Sequence, residues 1–494
     1  MKHALGTGFF ILALAAGSAF AQPKGTFRQA HEIGSGDASS LDPASRGRVF
    51  QITEKIMSRI VRPGLDGKPA PDLAQSWSSN SAATEWTFKL RPNVKFHNGQ
   101  PLTADDVVYT LKRIQDPKTD SPVRPTIAMV SEIEAVDPLT VRMKLSQPFA
   151  DLPIQLTDYR LLVIPKDSGD TIKSTGIGTG PFKVEKFEPR GTTILVANTD
   201  YFEGAPGVEK MEIIGISDAQ ARVQALLGGQ IDFLPGMTRQ QRQLIERSAG
   251  HQVQRVETGN WRGIVFKTDV KPFDDPRVRR ALRIAADRKS LLALTAGADG
   301  GLVSCDTPVA PKDQYRWNGS CEQDLDGAKK LLAEAGFANG IDVELMTSTV
   351  EAVWPAIAEA YQQQVAAAGI RVKITQVPTD GYWTQVWRKK DVTMTRWNER
   401  PADGALNEIY RSGAAWNESY LSDPKLDQIL DSARKELDFD KRKAFYIDAQ
   451  KEIFENGGTF VAFSVIDNVG MTKRVKDMDA VENFSIRWNR VKVD

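Results

Sequence analysis

The sequence predicts an α/β protein built from more than one folding unit. Segments typical of strands alternate with segments typical of helices between residues 328 and 397, and this alternation predicts a mostly parallel sheet covered by helices. The chain of 494 residues is too long for one ordinary domain, and its 41% of hydrophobic residues is ample for a buried core. A strand, a turn and a helix near mid-chain mark the place where we expect the chain to pass from one lobe to another.

That mid-chain segment spans residues 257–292. Residues 261–267 are β-branched and aromatic, which predicts a strand. Asp275 can then accept hydrogen bonds from the free amides of the next turn, and Pro276 suits the first position of a helix. We interpret the arginines of this helix as a solvated face rather than a nucleic-acid site. They are Arg277, Arg279, Arg280 and Arg283.

Periodicity and turn signals place further elements along the chain. Thr103 is expected to cap a helix that carries Asp106 at its third position. Two strands are expected in residues 130–149, on either side of Asp137 and Pro138. Other strands are expected at residues 27–33, 341–347, 370–376, 392–397 and 461–465. Helices are expected at residues 104–114, 219–228, 328–336, 353–368, 382–387, 425–437 and 440–456.

An export signal is predicted at residues 1–21. Lys2 comes before the apolar run Phe9–Ala16, and Ala19-Phe20-Ala21 forms a small-x-small cleavage site. The apolar run is too short to span a bilayer stably. No cysteine follows it, so we see no lipid attachment site. The mature chain from Gln22 onward is therefore expected to be soluble and exported.

The two cysteines fit export. Cys305 and Cys321 lie in a loop rich in glycine, proline and aspartate, and in an oxidising compartment we expect them to form a disulfide. Closing a loop of this length should stabilise the fold by about 3 kcal/mol. Two independent buried thiols are the alternative. A metal site is not expected, because two cysteines and the scattered histidines form no ligand cluster.

Composition and motifs exclude several classes of function. The 64 basic and 63 acidic side chains nearly balance, so nothing global favours nucleic acid or an anionic membrane. The sequence contains no G-x-S-x-G elbow, no H-E-x-x-H pair and no Walker loop. The glycines of residues 178–180 lack the GKS or GKT ending of a phosphate loop. We therefore expect neither catalysis nor a cofactor.

Several motifs resemble family 5 solute-binding proteins, the receptors of ABC importers for dipeptides, oligopeptides, nickel and opines. The most specific is WTFKLRPNVKFHNGQPLTADDVVYTLKRI at residues 86–114, which the family carries in an inserted subdomain. PFDDPRVRRALRIAADR at residues 272–288 is similar to the segment that leads into the family's second lobe. GTGPF at 178–182, AQARVQALLGGQID at 219–232 and LDP at 41–43 also match.

The resemblance implies a two-lobed α/β clamshell of the type II periplasmic-binding kind. Lobe I would comprise residues 22–44, 166–268 and 467–494. An inserted subdomain, called the insert below, would comprise residues 45–165, and lobe II residues 269–466. A small solute would be bound between the lobes. The closed, monomeric protein would then present a surface to an ABC permease in the periplasm.

The richest candidate for ligand binding is the segment at residues 396–417, for which we predict a loop. Its tryptophans give flat apolar walls and its charged groups fix orientation. In the family, a tryptophan at the end of such a strand flanks the cleft, which corresponds to Trp397. Trp416 and Asn417 close the segment and are candidates for the same wall.

Arg400 stands where peptide receptors of the family place an acid that binds the ligand's ammonium group. An arginine there favours a carboxylate or a phosphate. Asp403, three residues on, is our candidate for holding an amino group. The alternative is that Arg400 pairs with Glu399 or Asp403 on the surface.

Other candidates lie outside that segment. Ser35 and Gly36 belong to a glycine-containing loop whose backbone amides can approach a ligand, although a plain turn is the alternative. Trp261 and Arg262 begin the mid-chain strand, and the alternative for Trp261 is a core aromatic. Three other functions stay open at this stage: a receptor for a signalling partner, a periplasmic chaperone and an exported hydrolase.

We predict that the exported protein begins at Gln22, because the small-x-small site ends at Ala21. Intact-mass analysis of protein recovered from the periplasmic fraction should give the mass of residues 22–494. Recovery of the uncleaved chain in the membrane fraction, with Met1 retained, would overturn this expectation.

Overall fold

The computed structural model describes residues 22–31, 39–45, 47, 49–379, 381–481 and 485–494. The predicted signal at residues 1–21 and the candidates Ser35 and Gly36 lie outside the described residues. Within them, one long mixed sheet runs through both lobes, and a smaller antiparallel sheet forms the centre of the insert.

Helices and strands alternate along most of the described chain. The helices are α1 (Phe50–Ile56), α2 (Ala104–Gln115), α3 (Leu152–Gln155), α4 (Ile172–Thr175), α5 (Ala219–Leu227), α6 (Arg239–Glu246), α7 (Pro276–Ile284), α8 (Arg288–Thr295), α9 (Leu325–Glu334), α10 (Trp354–Val365), α11 (Ala402–Ile409), α12 (Pro424–Lys435) and α13 (Phe439–Asn456). The strands are β1 (Thr26–His31), β2 (Val61–Pro63), β3 (Pro69–Pro71), β4 (Ala74–Ser79), β5 (Glu85–Leu90), β6 (Val130–Asp137), β7 (Thr140–Leu145), β8 (Phe182–Lys186), β9 (Thr192–Ala197), β10 (Lys210–Gly215), β11 (Phe233–Leu234), β12 (His251–Phe266), β13 (Gly301–Val303), β14 (Ile341–Ser348), β15 (Ile370–Val377), β16 (Val392–Trp397), β17 (Thr459–Thr472), β18 (Val475–Lys476) and β19 (Lys492–Val493).

The long sheet has the strand order β15-β14-β16-β12-β17-β11-β1-β10-β9-β8. Parallel pairs occur within each lobe, between β14 and β15 and between β1 and β10. The central pairs of β12 with β16 and with β17 are antiparallel. The predicted parallel pairing is confirmed for β14 with β15 and with β16, the strands of residues 328–397 on which it rested, but it does not extend to the centre of the sheet. The reason is that the chain crosses between the lobes along antiparallel strands.

The strands β12 and β17 are both much longer than predicted. The expected strand at 261–267 starts ten residues earlier, at His251, and the expected strand at 461–465 extends to Thr472. Residues 251–257 of β12 pair with β17 on the lobe I side, and the register shifts between Glu257 and Trp261 before pairing resumes on the lobe II side. This irregular stretch, residues 258–260, is called the break below.

The insert has a core of its own. Its four strands pair in the order β4-β5-β7-β6, and α2 packs against them. The capping box at the start of α2 is as predicted, because the Asp106 carboxylate accepts from the Thr103 amide at 2.8 Å. Buried side chains such as Phe88, Leu111 and Val141 form the core.

Each lobe also contains separate hydrophobic clusters. In lobe I, Phe27, Phe233 and Trp488 pack together with ring centroids about 6 Å apart. In lobe II, one cluster lies between the sheet and α7–α10, and another lies under α11–α13. These clusters are compatible with the predicted lobes, whose boundaries stay a prediction.

Two of the four arginines of α7 do not lie on a solvated face, which corrects that interpretation for them, whereas the side chains of Arg277 and Arg280 are 47% and 30% exposed. Arg279 and Arg283 are 5% and 1% exposed. Arg283 and Arg288 both bind the buried Asp306 carboxylate, at 3.0 and 2.8 Å. Arg283 also donates to the last carbonyls of α13. A buried arginine, instead of an apolar side chain, therefore joins α7 to the end of α13.

Two local elements also differ from expectation. Residues 402–409 form α11, although the sequence pattern predicts a loop throughout that segment. Pro401 and Gly404 obscure a helix whose apolar residues Leu406 and Ile409 face the core. The expected helix at residues 382–387 is a single π-helical turn, Tyr382–Val386.

The structure joins Cys305 to Cys321 by a disulfide with a Cα–Cα distance of 5.4 Å. The bridge ties the loop after β13 to the segment before α9. Of the helices in the described part of the chain, none combines the length and the apolar character required to cross a membrane.

His97 joins the insert to lobe I. Its Nδ1 accepts a hydrogen bond from the Gly178 amide at 3.2 Å, and its Nε2 donates to the Gly180 carbonyl at 3.1 Å. Both glycines are needed because a Cβ at either would lie within 2.4 Å of the backbone of Ile56. The two family motifs therefore meet in space. Burial, with a smaller contribution from the charge of Lys183, lowers the pKa of His97 to about 4, although the hydrogen bond to Gly180 acts to raise it.

We predict that His97 makes the fold sensitive to acid. Its folded pKa lies below the ordinary value of 6.5, so its contribution to stability is lost as the pH falls from 6.5 towards 4. The loss should be roughly 1–3 kcal/mol, allowing for partial solvent screening. Thermal unfolding of wild type and His97→Gln at pH 7 and 4.5 should show a shallower decline for the variant. Asn98→Ala, at the same turn, should decline as wild type does. Equal slopes for His97→Gln and wild type would contradict the assignment.

Candidate functional site

A cleft lies where the insert, lobe II and the break meet. Its empty space amounts to about 1140 Å³, open solvent included. Charged and aromatic side chains of the insert lie on one side of the cleft, and charged side chains of lobe II lie on the other. The insert contributes Arg59, Asp158 and Tyr159, lobe II contributes Lys312, Asp313, Glu399 and Arg400, and Glu257 lies beside the break.

Arg400 is the central cation of the cleft. It is 8% exposed and its Nε donates to Glu408 Oε2 at 2.7 Å. The guanidinium carbon lies 5.0 Å from the ring centroid of Trp397 and 5.5 Å from that of Trp416. Two aromatic faces and one carboxylate therefore hold the group in place. No acceptor among the described residues takes a hydrogen bond from its Nη2, which remains available to a ligand.

Asp158 and Arg160 form a buried pair on the insert side. The Asp158 carboxylate accepts from Nε and Nη2 of Arg160, with the Nε bond at 2.8 Å. Burial alone would raise the pKa of Asp158, but the charge and hydrogen bonds of Arg160, together with Arg400, lower it to about 2. Asp158 is therefore ionised at neutral pH and faces Arg400 across the cleft.

Glu399 connects the cleft to the break. Its Oε2 accepts from the Gly259 amide at 2.6 Å, and its own amide donates to Asn260 Oδ1 at 2.7 Å. A Cβ at Gly259 would lie 2.6 Å from Ala310 Cβ and 2.7 Å from Glu399 Cγ, so this close approach requires glycine. Burial raises the pKa of Glu399, which the Gly259 amide and Lys312 oppose. The residue next to Arg400 therefore contacts the strand that joins the lobes.

Two further lobe II groups complete the charge pattern. Asp313 accepts from the amides of Tyr315 and Ala402 at 2.8 and 3.0 Å, and so caps the start of α11. Burial raises its pKa to about 6. Lys312 Nζ lies 3.4 Å from Glu257 Oε2 at the exposed mouth. The cleft thus contains one buried cation, Arg400, whose Nη2 donor is free among the described residues, and the charged groups around it are paired.

Trp397 lies directly behind Arg400, not on the cleft surface. It is 5% exposed, and its Nε1 donates to Glu418 Oε1 at 2.6 Å. Trp387 and Thr395 also donate to Glu418, which is buried and has no cation bound to it among the described residues. Burial raises the pKa of Glu418 to about 7, against the hydrogen bonds that lower it. Glu418 therefore fixes the ring on which Arg400 rests.

Trp261 and Arg262 do not reach the cleft. Trp261 is 1% exposed and stacks on Trp397 with centroids 6.4 Å apart, so it is a core aromatic. Arg262 points to the other face of the sheet, where its Nε lies 3.0 Å from Glu351 Oε2. The alternation of side chains along β12 sends these neighbours to opposite faces.

Asp403 does not reach the cleft either. Arg434 donates to both of its oxygens at 2.7 Å, and Tyr446 and Asn407 donate to Oδ1 at 2.9 and 3.0 Å. Asp403 is 2% exposed, so a ligand's ammonium group has no access to it. The structure does not support the role expected for Asp403. Helix α11 rotates it away from Arg400 and into lobe II.

Trp416 and Asn417, the last two predicted site residues, are adjacent in sequence but have different surroundings in the structure. Asn417 is 3% exposed, and its side chain bonds to the backbone of Arg411 and Leu421. This arrangement holds a turn and leaves nothing for a ligand. Trp416 is partly buried, 5.4 Å from Trp397 between centroids, and lines a neighbouring cavity.

The charged groups of the insert are not predicted by the sequence pattern, because the motifs there indicate structural roles alone. Asp158 and Arg160 stand two residues apart in an apolar region, and this spacing is the only local signal. Glu399 adjoins Arg400 in the sequence and is predicted only as its surface partner. Across the described residues, no group of three or more His, Cys, Asp or Glu side chains is placed to hold a metal ion.

The family model for the middle part of bacterial extracellular solute-binding proteins, family 5, matches residues 68–417. The chain belongs to the family 5 solute-binding proteins. The match spans most of the insert and most of lobe II, including the cleft residues Asp158 and Arg400. Its fold is that of the two-lobed type II periplasmic binding proteins, and its role is to bind a substrate.

Related proteins cover nearly the whole chain. A di/tripeptide-binding protein of Pseudomonas aeruginosa is 28% identical over 511 residues, with 92% of each chain covered. A glutathione-binding protein of Pectobacterium atrosepticum is 26% identical over 440 residues, with 84% of each covered. Among solved structures, a periplasmic binding protein of A. tumefaciens R10 in complex with agropinic acid has a TM-score of 0.81. Its identity is 25%, and the match covers 95% of this chain and 99% of that one.

We predict that Glu418 titrates near neutral pH. Its folded pKa of about 7 lies above the ordinary 4.5, so the folded state holds the proton more tightly. Stability is therefore lost as the pH rises from 4.5 to 7, by about 3 kcal/mol. Glu418→Gln should lose this dependence, and wild-type tryptophan emission should change near pH 7.

Thermal unfolding followed by tryptophan fluorescence at several pH values measures both effects. Glu359→Gln, on an exposed face of α10, is the control and should keep the wild-type pH dependence. A wild-type protein and a Glu418→Gln variant with the same pH profile would show that Glu418 does not titrate in this range.

Proposed function

We propose that this family 5 protein captures a small solute with an acidic group in the cleft and delivers it to an ABC permease. The observation that carries the proposal is Arg400, a buried cation with an unused donor in the cleft between the insert and lobe II, beside the break. Burial lowers the effective dielectric around it, so that an anion is attracted more strongly there than at a surface.

The acidic group would accept from Nη2 of Arg400. Nε already donates to Glu408 and Nη1 to the Asn398 carbonyl, and the guanidinium packs against the neighbouring rings of Trp397 and Trp416. Because the cation is held before the ligand arrives, little side-chain entropy is lost on binding. Opine-like conjugates and acidic or modified peptides have the required acid.

An amino group of the ligand would be bound by Glu399 instead of Asp403. Glu399 lines the cleft, and its Oε1 accepts no hydrogen bond from the described residues. Its pKa is raised by burial, and an ammonium group would lower it again. The related proteins named for dipeptides, glutathione and agropinic acid support a ligand of this general size.

The remaining parts of the proposal concern location and partners. We propose a monomeric periplasmic protein, exported through its cleavable signal and not lipid-anchored, with lobe boundaries as predicted above. We propose capture without catalysis, because the family to which the chain belongs consists of solute-binding proteins. Ligand binding favours the closed state by contacting both lobes at once.

A thermal-shift screen over peptides, opines, sugar phosphates and metal chelates identifies the solute, because binding to the native state alone raises the melting temperature. We expect acidic solutes to give the largest shifts. A screen in which only cationic or metal-containing solutes stabilise the protein would contradict the proposed ligand class.

We predict that Arg400→Ala weakens binding of the acidic solute by about 2–5 kcal/mol, because the charge pair would be buried. Calorimetry on wild type and variant measures the change. Arg396→Ala is the matched control, since Arg396 lies on the strand just before Arg400, is 43% exposed and pairs with Glu351. It should cost under about 1 kcal/mol. Unchanged affinity in Arg400→Ala would sink the assignment of Arg400, although not the transport role.

A further inference from the structure

A second cavity lies between the insert and lobe II, beside the cleft. It amounts to about 660 Å³ of empty space, open solvent included. Gln155 and Thr126 face it from the insert, and Glu408 and Trp416 from lobe II. The residues that line it differ from those that line the cleft.

A narrow partition separates the two spaces. On α3, Ile154 faces the cleft and Gln155 faces the second cavity. Arg400 likewise faces the cleft, whereas Glu408 faces the second cavity. These two residues are in direct contact, since Arg400 Nε donates to Glu408 Oε2 at 2.7 Å, and their ion pair forms part of the wall between the two spaces. On the side of the second cavity, Thr126 Oγ1 donates to Glu408 Oε1 at 3.2 Å and joins the insert to lobe II. The two spaces are therefore adjacent, one ion pair apart.

The charged groups around the second cavity are already neutralised. Arg434 is bound by Asp403, Arg411 Nη2 lies 2.5 Å from Asp431 Oδ1, and Glu408 is bound by Arg400. An ion entering the cavity would have to lose its water without gaining a free counter-charge. The cavity therefore disfavours a charged group and accepts an uncharged one.

Gln155 is a polar group that lacks a partner there. It is 4% exposed, and its Oε1 accepts no hydrogen bond from any residue that the structure describes. Its amide lies 3.8–3.9 Å from the position that a Cβ of Gly404 would occupy, so the glycine leaves room beside it. A buried amide without partners costs free energy, and a bound group that both donates and accepts would remove that cost.

We propose that the second cavity holds the uncharged, hydroxyl- or amide-rich end of the ligand whose acidic end binds Arg400. Gln155 donates to and accepts from that end, and Trp416 gives it a flat apolar wall. The ligand is then a two-ended conjugate, with an acid at one end and a neutral polar chain at the other. This inference rests on the proposed function of the cleft.

Two matched probes test the proposal. The first is glutamate alkylated on its nitrogen by a deoxyglucitol chain, and the second is the same compound with its terminal hydroxymethyl group oxidised to a carboxylate. We expect wild type to bind the neutral-ended probe at least about tenfold more tightly, and Gln155→Leu to lose most of this preference. Calorimetry with full-length mature protein gives both constants.

Two controls keep the result interpretable. Gln155→Leu removes an unpaired buried amide, so its melting temperature should equal or exceed that of wild type. Gln230→Leu, at an exposed position after α5, should bind both probes as wild type does. The preference of wild type itself is measured without any variant.

Three outcomes would overturn the proposal: equal affinities of wild type for the two probes, an unchanged preference in Gln155→Leu, or binding of neither probe. If neither probe binds while other acidic solutes raise the melting temperature, the second cavity is misassigned and the proposed function of the cleft stands. If no acidic solute stabilises the protein, the ligand class proposed for the cleft fails as well.

Discussion

The pairing of β12 with β17 is the contact on which the rest of the structure depends. Each strand runs through both lobes, and their hydrogen bonds are interrupted only around residues 258–260 and by one shift at Gly263. Relative movement of the lobes must be absorbed at that break, because regular pairing on either side resists bending. Glu399 binds the break through the Gly259 amide. The cleft therefore opens at the place where the lobes are able to move.

Charge pairing shapes what this cleft can bind. Asp158 with Arg160, Arg400 with Glu408 and Lys312 with Glu257 are each neutral as pairs. Two groups remain without a hydrogen-bond partner among the described residues: the Arg400 Nη2 donor on one side and the Glu399 Oε1 acceptor on the other. Such a site selects among ligands by the positions of their acidic and amino groups rather than by their net charge. Polar contacts between insert and lobe II, including Tyr315 with Asp151 at 3.0 Å, hold the two together.

Elements with strong local signals were predictable from the sequence. The capping residues Thr103 and Asp275 fixed where α2 and α7 begin, and β16 falls at the predicted residues 392–397. Features decided by tertiary packing were not. Burial of Arg283 depends on Asp306 and on the end of α13. Helix α11 forms across Gly404 because its apolar residues pack into a core cluster of lobe II. Asp403 lies in the first turn of α11 and points into lobe II for the same reason, whereas Arg400 precedes Pro401, the residue before the helix, and lines the cleft.

A crystal structure of the mature protein with the solute that gives the largest thermal shift tests the central claim most directly. The account predicts an acidic group of that solute within hydrogen-bond distance of the Arg400 guanidinium, next to the break in β12, with the insert and lobe II both in contact with the ligand. A solute bound with its acid elsewhere, or held by one lobe alone, would contradict it.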